Sequence, residues 1–442
     1  MEWWILLVII FGAALFLLGV GMPVAFAFIA VNMLGAFILQ GGDRAFHTLT
    51  LSMYSSVSTF TLLPVPLFVL MGEILWHSRI GFRAIDVLDK NLGKVPGRLS
   101  ILTVLSGTVF AALSGSTMAN TALLGTMLLP EMDKRGYHRS MSMGPIMASG
   151  GLAMIIPPSA LAVILATIGK LSIGKILIAS VLPGIILAVL YIGYIVIRCR
   201  MNPAMAPAYL AARVPILERV VGLLVYIAPL GIIIFLVTGV IVIGVATPTE
   251  AAALGCLGSA LIAAAYGALT WDVVKKAVTG TVYISVMMLA ILVGALGFSQ
   301  LLAYSGASRG LLEAVTNLPI APILLIVAMQ LIVVVLGCFM EQIAIMMITL
   351  PIFIPLVVKL GFDPIWFGVM MLINLDMALL TPPFGLLLFI MKGVAPPGTN
   401  MRQIYMAGLP FVVLDLIAIA LILVFPELVH GVLDWAYPKG GR

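Results

Sequence analysis

Long apolar runs recur from one end of this chain to the other: Trp3 to Leu18, Leu99 to Leu113, Ile176 to Ile197, Val220 to Ile243, Val282 to Leu302 and Tyr405 to Phe425. A helix needs about 20 apolar residues to cross the hydrocarbon core of a bilayer, and inside that core every backbone N–H and C=O must find a partner in the chain itself. Only helices and closed barrels meet that condition. A barrel would alternate with period two in segments of roughly ten residues, and these runs do not. Charged residues make up 9% of the chain and hydrophobic ones 63%, whereas a soluble chain carries about 25% charged. The sequence therefore defines an all-α polytopic membrane protein whose first partner is the lipid bilayer.

The net charge of +6 does not point to nucleic acid. The basic residues sit in loops without interleaved aromatics, which is the pattern of positive-inside topology. Glu2 stands where a signal peptide carries basic residues, and no small-residue cleavage site follows, so the first apolar run is expected to be retained. Cys199, Cys256 and Cys338 are too few and too scattered for a disulfide framework or a metal cluster.

Four landmarks repeat at nearly constant separation. "GVGMPVAFAF" resembles "GVATPTEAAA", with Pro23 and Pro248 225 positions apart; Pro130 and Pro351 are 221 apart, Pro157 and Pro382 225, and Pro183 and Pro410 227. Half of 442 is 221, so the chain reads as two repeats, 1–218 and 219–442. Arg79 to Arg98, Lys134 to Arg139 and Arg198 to Arg219 supply three basic, cytoplasmic loops. The segment 98–134 has such charge at both ends and arms too short to span comfortably, so it is predicted to be a re-entrant hairpin with its tip at Ser114-Gly115-Ser116. Segment 139–170 crosses as a broken helix. Counting onward, hairpin 321–359, with its tip near Gly337 to Gln342, enters from the opposite face, and 366–391 is a second broken helix. The repeats thus have inverted topology, with both termini outside. Met201 to Arg219 and Leu269 to Val278 read as amphipathic arms on the cytoplasmic surface.

Broken helices are costly in lipid unless buried in protein or lining a watery cavity. "SGGLAMIIPPS", with Gly150-Gly151 and Pro157-Pro158, and "LLTPPFG" each place a break near mid-depth. Opened helices present carbonyls for a small hard cation and N–H groups for an anion. Neutral oxygens stand beside these breaks: Ser114, Ser116, Thr117, Asn120, Ser149 and Ser159 in the first repeat, Asn374 and Thr381 in the second. Glu341 and Asp376 are acids at membrane depth and are candidates for a cation or a proton. Glu250, following Thr247-Pro248, suits a helix cap. Glu73 is expected to pair with His77 or Arg79, and Asp415 has no evident role. No Lys or Arg stands at a tip or break, so an anionic substrate would rely on bound cations.

"GKLSIGKI" mimics a phosphate-binding loop but has Ile176 where Ser or Thr must hold magnesium; transport is expected to draw on ion gradients. An intramembrane enzyme would need a base near Ser114, yet His47, His77, His138 and His430 map to membrane faces or outside. A channel fits two opposed hairpins less well than alternating access does.

The motifs "GMPVAFAF", "PLFVLMGEIL", "ALSGSTMANTALLGTMLLPEM", "IIPPSALAVI", "LPGIIL", "TPTEAAA" and "NLDMALLTPPFGLLLF" resemble, in order and spacing, the large membrane subunit of tripartite ATP-independent periplasmic (TRAP) transporters. The resemblance implies a sodium-coupled secondary importer of carboxylates in a bacterial inner membrane, with periplasmic termini and an elevator mechanism. It implies a periplasmic substrate-binding protein and a small four-helix membrane subunit, expected as a separate chain. One sodium site would involve Ser114, Gly115, Ser116, Asn120 and the break Ile156, Pro157 and Ser159; the other would involve Gly337, Met340, Glu341, Thr381 and Pro382. Substrate would lie between the tips, against Ser114, Ser116, Thr117, Pro158, Met340, Gln342, Thr381 and Pro383. Glu341-Gln342 replaces the Asp-Pro of many members, and with Met340, Met346 and Met347 nearby it suggests a larger or aromatic carboxylate. A proton-coupled transporter, or one independent of a binding protein, is the alternative.

Overall fold

The computed structural model describes residues 2–40, 43–58, 62–93, 95–114, 117–207, 215–382 and 385–437, and among them every element is helical. In the first half these are α1 (Trp3–Gly19), α2 (Val24–Gln40), α3 (Asp43–Val57), α4 (Pro64–His77), α5 (Ile80–Asn91), α6 (Arg98–Ser114), α7 (Thr117–Lys134), α8 (Arg139–Gly151), α9 (Ala160–Ile168) and α10 (Ile173–Met201). In the second half a continuous run, Ile216–Val242, comprises α11 (Ile216–Gly222), α12 (Ala228–Ile234) and α13 (Val240–Val242), joined by π-helical turns. Pro229, inside α12, has no N–H to give the preceding turn, which accounts for the first widening. Then come α14 (Pro248–Ala265), α15 (Trp271–Tyr304), α16 (Ala307–Thr316), α17 (Pro322–Gly337), α18 (Gln342–Lys359), α19 (Pro364–Leu380), α20 (Leu386–Val394), α21 (Met401–Val424) and α22 (Glu427–Ala436). Among the described residues six helices are long and apolar enough to cross a membrane.

Two packed groups of helices result. In one, α14 lies on α4 while α15 runs along both α2 and α4, so elements from the two halves interlock. Phe28 meets Phe298 edge to face at 4.9 Å, and Asn32 Nδ2 donates to the Gly294 carbonyl at 2.8 Å. In the other group, α8 packs on α6, α7 and α21, and α19 packs on α17, α10 and α21; the Trp366 indole N–H reaches the Ile422 carbonyl at 3.0 Å. The groups meet where α4 touches α6 and α9 and where α15 touches α18.

The sequence boundaries need three corrections. The second broken helix runs from Pro364 to Val394 rather than 366–391, because Asp363 caps it by accepting from the Ile365 N–H at 2.8 Å. The expected arm at Leu269 to Val278 is no separate segment: Thr270 caps α15, which continues through it for 34 residues. The basic stretch after Arg79 is not a loop throughout, since it contains the 12-residue helix α5. The three basic stretches do gather at one end of the molecule. Lys90 pairs with Glu218 at 3.3 Å, and the His138 N–H bonds the Met205 carbonyl at 2.8 Å.

Glu250 plays the capping part its position suggests. Its carboxylate accepts from the Thr247 N–H and hydroxyl, each at 2.8 Å, and the Thr247 oxygen accepts from the Glu250 N–H at 3.4 Å. Thr247→Ala should cost about 1 kcal/mol of stability and leave uptake unchanged, a combination that thermal melts and transport assays of the purified variant can check.

Candidate functional site

The two breaks form for related local reasons. Helix α8 tightens through a 3-10 turn, Leu152–Met154, and stops, because Pro157 and Pro158 offer no N–H to carry the ladder on. Ser159 restarts it: its hydroxyl donates to the Met154 carbonyl at 2.7 Å and accepts from the Ala162 N–H at 3.2 Å. That hydroxyl is committed to holding the break. In the second half, Thr381 turns into extended geometry where α19 ends, and its hydroxyl donates to the Met377 carbonyl at 2.7 Å.

The pair Gly150-Gly151 serves close approach. A Cβ on Gly150 would stand 1.9 Å from Thr121 Oγ1, and one on Gly151 would stand 1.4 Å from Asp376 Oδ1. Both glycines therefore allow neighbouring helices, α7 and α19, to lie against the backbone of α8.

At the first tip, Asn120 is fully buried. Its Nδ2 donates to the carbonyls of Gly107 at 3.3 Å and Ser149 at 3.2 Å, tying both hairpin arms to the broken helix. Its Oδ1 has no hydrogen-bond partner, and neither do the hydroxyl oxygens of Thr117 and Thr121. The spacing 117, 120, 121 puts all three on one face of α7. A buried polar oxygen without a partner costs about 1–3 kcal/mol. Three neutral ones on one helix face form a donor set suited to a small hard cation; of them only Asn120 belongs to the predicted first ion site, Thr117 belongs to the predicted substrate set, and Thr121 to neither. Gly115, Ser116 and Pro383, with the side chain of Ser114, fall outside the described residues.

At the second tip, residues 338–341 turn between α17 and α18, and Gly337 abuts Ala378. Asn374 donates to the backbone carbonyl and side-chain Oε1 of Gln330 at 2.6 and 2.7 Å, while its Oδ1 lacks a partner. The spare neutral acceptor here lies on the broken helix rather than on the hairpin.

A cavity of about 330 Å³ opens between the tips. Thr117, Met118 and Ala119 line it from α7, Ala160 and Leu161 from α9, and Glu341, Gln342 and Ile343 from the second tip; α4 adds Val69, Gly72, Glu73 and Trp76, and α15 adds Ile284, Met287 and Met288. It thus brings together Thr117, Glu341 and Gln342 of the predicted set. Pro158, Met340 and Thr381 are not on its wall, and Ile156, Pro157 and Pro382 form the breaks themselves. Sequence reasoning missed Glu73, Trp76, Met287 and Met288 as cavity residues. Glu73 does pair with His77, at 3.2 Å, but it also faces the cavity. Among the described residues the wall carries two carboxylates and no Lys or Arg, so an ionised wall would repel an anion unless cations were already bound. A larger space of about 740 Å³ lies at the other ends of α4 and α9, near Pro64, Lys170 and Thr247, and no predicted site residue lines it.

Among the described residues the fold is all-helical, with the first broken helix and the residues flanking both hairpin tips bordering one cavity. The solved YdaH transporter of Alcanivorax borkumensis has a similar fold, with a TM-score of 0.66 at 14% identity, covering 88% of this chain and 90% of that one. Residues 11–428 match the family of the tripartite ATP-independent periplasmic transporter, DctM component, and the chain belongs to it. It is 30% identical to the C4-dicarboxylate TRAP transporter large permease protein of Pseudomonas aeruginosa, over 90% of this chain and 92% of that protein. It is 29% identical to the sialic acid TRAP transporter large permease protein of Vibrio cholerae, over 93% and 94%. The chain is accordingly a transporter permease and not an enzyme.

Proposed function

We propose that this permease is a sodium-coupled secondary transporter that imports an organic acid across a bacterial inner membrane, the acid being delivered by a periplasmic binding protein. The observation that carries this reading is the set of unpartnered neutral oxygens on Thr117, Asn120 and Thr121 at the edge of a cavity walled by carboxylates. Cations bind first and make the cavity hospitable to an anion. The two relatives are named for C4-dicarboxylates and sialic acid, both carboxylates. The apolar wall, with Trp76, Met118, Met287 and Met288, favours a substrate with an apolar or aromatic body.

Residues 1–218 and 219–442 are two repeats of inverted topology, each with a hairpin and a broken helix, and the termini lie in the periplasm. The convergence of both hairpin tips on one cavity supports this reading. Hairpins, broken helices, α10 and α21 move together as an elevator against α4, α15 and the remaining helices, which a small four-helix subunit completes. In this reading the end of the cavity at Trp76 on α4, next to the gathered basic stretches, is its cytoplasmic side.

The test is uptake of labelled organic acids into proteoliposomes holding this chain and its small subunit, with binding protein outside. Accumulation driven by an inward sodium gradient, and not by potassium or protons, is expected. Accumulation driven by protons alone would favour the second reading, proton coupling, for which Glu341 on the cavity wall is the natural carrier. In the same assay Thr381→Ala should raise the sodium requirement, since its hydroxyl gives its proton to the Met377 carbonyl and keeps its oxygen lone pairs for a cation. An unchanged requirement would take the Thr381 oxygen off the ion.

A further inference from the structure

A seam at the basic end of the molecule joins α5 to the apolar run Ile216–Val242. Along α5 the residues Arg83, Val87 and Lys90 follow at helical spacing, and along the run Glu218, Gly222 and Tyr226 do the same. The two rows meet in opposite directions. Lys90 pairs with Glu218 at 3.3 Å, a Cβ on Gly222 would stand 3.2 Å from Val87 Cγ2, and the Arg83 guanidinium lies over the Tyr226 ring, 5.8 Å from its centroid. Tyr226 in turn stacks on Tyr266 at the end of α14, with ring centroids 5.7 Å apart and planes 20° from parallel. Proline explains why Tyr266 sits there. Pro229 has no N–H to give the Val225 carbonyl four residues earlier, and the Tyr266 hydroxyl donates to that carbonyl instead.

Two arginines at this seam keep hydrogen-bonding capacity that the protein does not use. A cation–π contact needs none of the five N–H donors of a guanidinium, so those of Arg83 remain available. Arg219, next to Glu218, has a buried Nε with no hydrogen-bond partner, a costly state that an acceptor would relieve. The acids on the packed elements are engaged elsewhere: Glu218 and Asp86 with Lys90, Asp89 with Arg98 and Asp272 with Lys276. Among the described residues neither Arg83 nor Arg219 has an ion-pair partner. The surroundings are those of a lipid surface. Ile216, Leu217, Val220 and Leu224 are exposed on the same run, and Trp271, which opens α15, is 81% exposed. Tyrosine and tryptophan concentrate where hydrocarbon gives way to headgroups, and a guanidinium fork matches phosphate oxygens. A zwitterionic headgroup brings its own ammonium to a site that is already cationic, whereas an anionic one does not.

We propose that Arg83 and Arg219, braced by Tyr226 and Tyr266, hold the phosphate of an anionic phospholipid whose chains lie along the exposed side of the Ile216–Val242 run. The test is native mass spectrometry of the permease purified with its small subunit and stripped of lipid in detergent. Added phosphatidylglycerol should stay bound at concentrations where phosphatidylethanolamine does not, and millimolar inorganic phosphate should not displace it. Arg83→Gln with Arg219→Gln should weaken that binding at least about tenfold, while Lys134→Ala, an exposed basic residue outside the seam, should leave it unchanged. Arg83→Gln alone, at an exposed side chain, should weaken it about fivefold and gives the reading if the double variant does not fold. Equal binding of the two lipids, binding that survives loss of the arginines, or an equal loss in Lys134→Ala would overturn the proposal. So would displacement by inorganic phosphate, which would make this a soluble-anion site, and lipid binding by the permease alone but not by the complex, which would give the seam to the small subunit.

Discussion

Replacing Asn120 with alanine should raise the sodium concentration for half-maximal uptake by tenfold or more, with little change in the amount of folded protein recovered. The side chain spends its amide on two backbone carbonyls, Gly107 and Ser149, and leaves its oxygen unspent. Alanine removes both. Losing one ion ligand and slackening two bonds of about 1 kcal/mol each amounts to at least the 1.4 kcal/mol that a factor of ten requires. Asn120→Asp retains the oxygen but exchanges the amide donor for a negative charge, so it should hold an ion while weakening the tie between hairpin and broken helix. Equal sodium dependence in wild type and Asn120→Ala would remove α7 from the ion site altogether.

A single methyl group at Gly151 should do more damage still. Gly151→Ala would place a carbon 1.4 Å from Asp376 Oδ1, and neither α8 nor α19 can yield, since both are buried along that stretch. Overpacking a tight core costs about 1–3 kcal/mol, and the fully buried Asp376 carboxyl would have to move to admit the methyl. The variant should fail to give monodisperse protein in gel filtration. Combining it with Asp376→Gly returns the space and should restore folding. A well-behaved single variant would mean that the two broken helices separate more easily than their contact implies.

Much of this architecture is legible in the sequence because membranes penalise exposed backbone so heavily. Glycine, proline and short polar residues inside apolar runs are costly there, so they mark the breaks: the first broken segment stops before Pro157-Pro158 and restarts at Ser159. Boundaries set by ordinary capping were less visible, as at Asp363, because an aspartate before a proline is common in loops too. The cavity was half legible. One wall carries Thr117, Glu341 and Gln342, which stand out against lipid-like neighbours. Its other wall comes from Trp76, Met287 and Met288, apolar residues on apolar helices that only tertiary packing singles out. Asp415 was conspicuous but mute, since its partner Tyr191 is 224 residues away.

The uninterrupted length of α15 has a mechanical corollary. At 34 residues it is about 51 Å long, against a hydrocarbon thickness of about 30 Å, so both ends reach the water or the helix leans steeply. The stretch one sequence-repeat spacing earlier carries two helices, α3 and α4. A beam anchored at both surfaces resists being carried through the membrane and can act as a rail. What faces the cavity from that rail is Met287 and Met288, unbranched thioethers that refit many partner shapes at small cost. If the proposed elevator motion slides past this helix, Met287→Ile with Met288→Ile, equally apolar but stiff, should slow transport without changing what is carried.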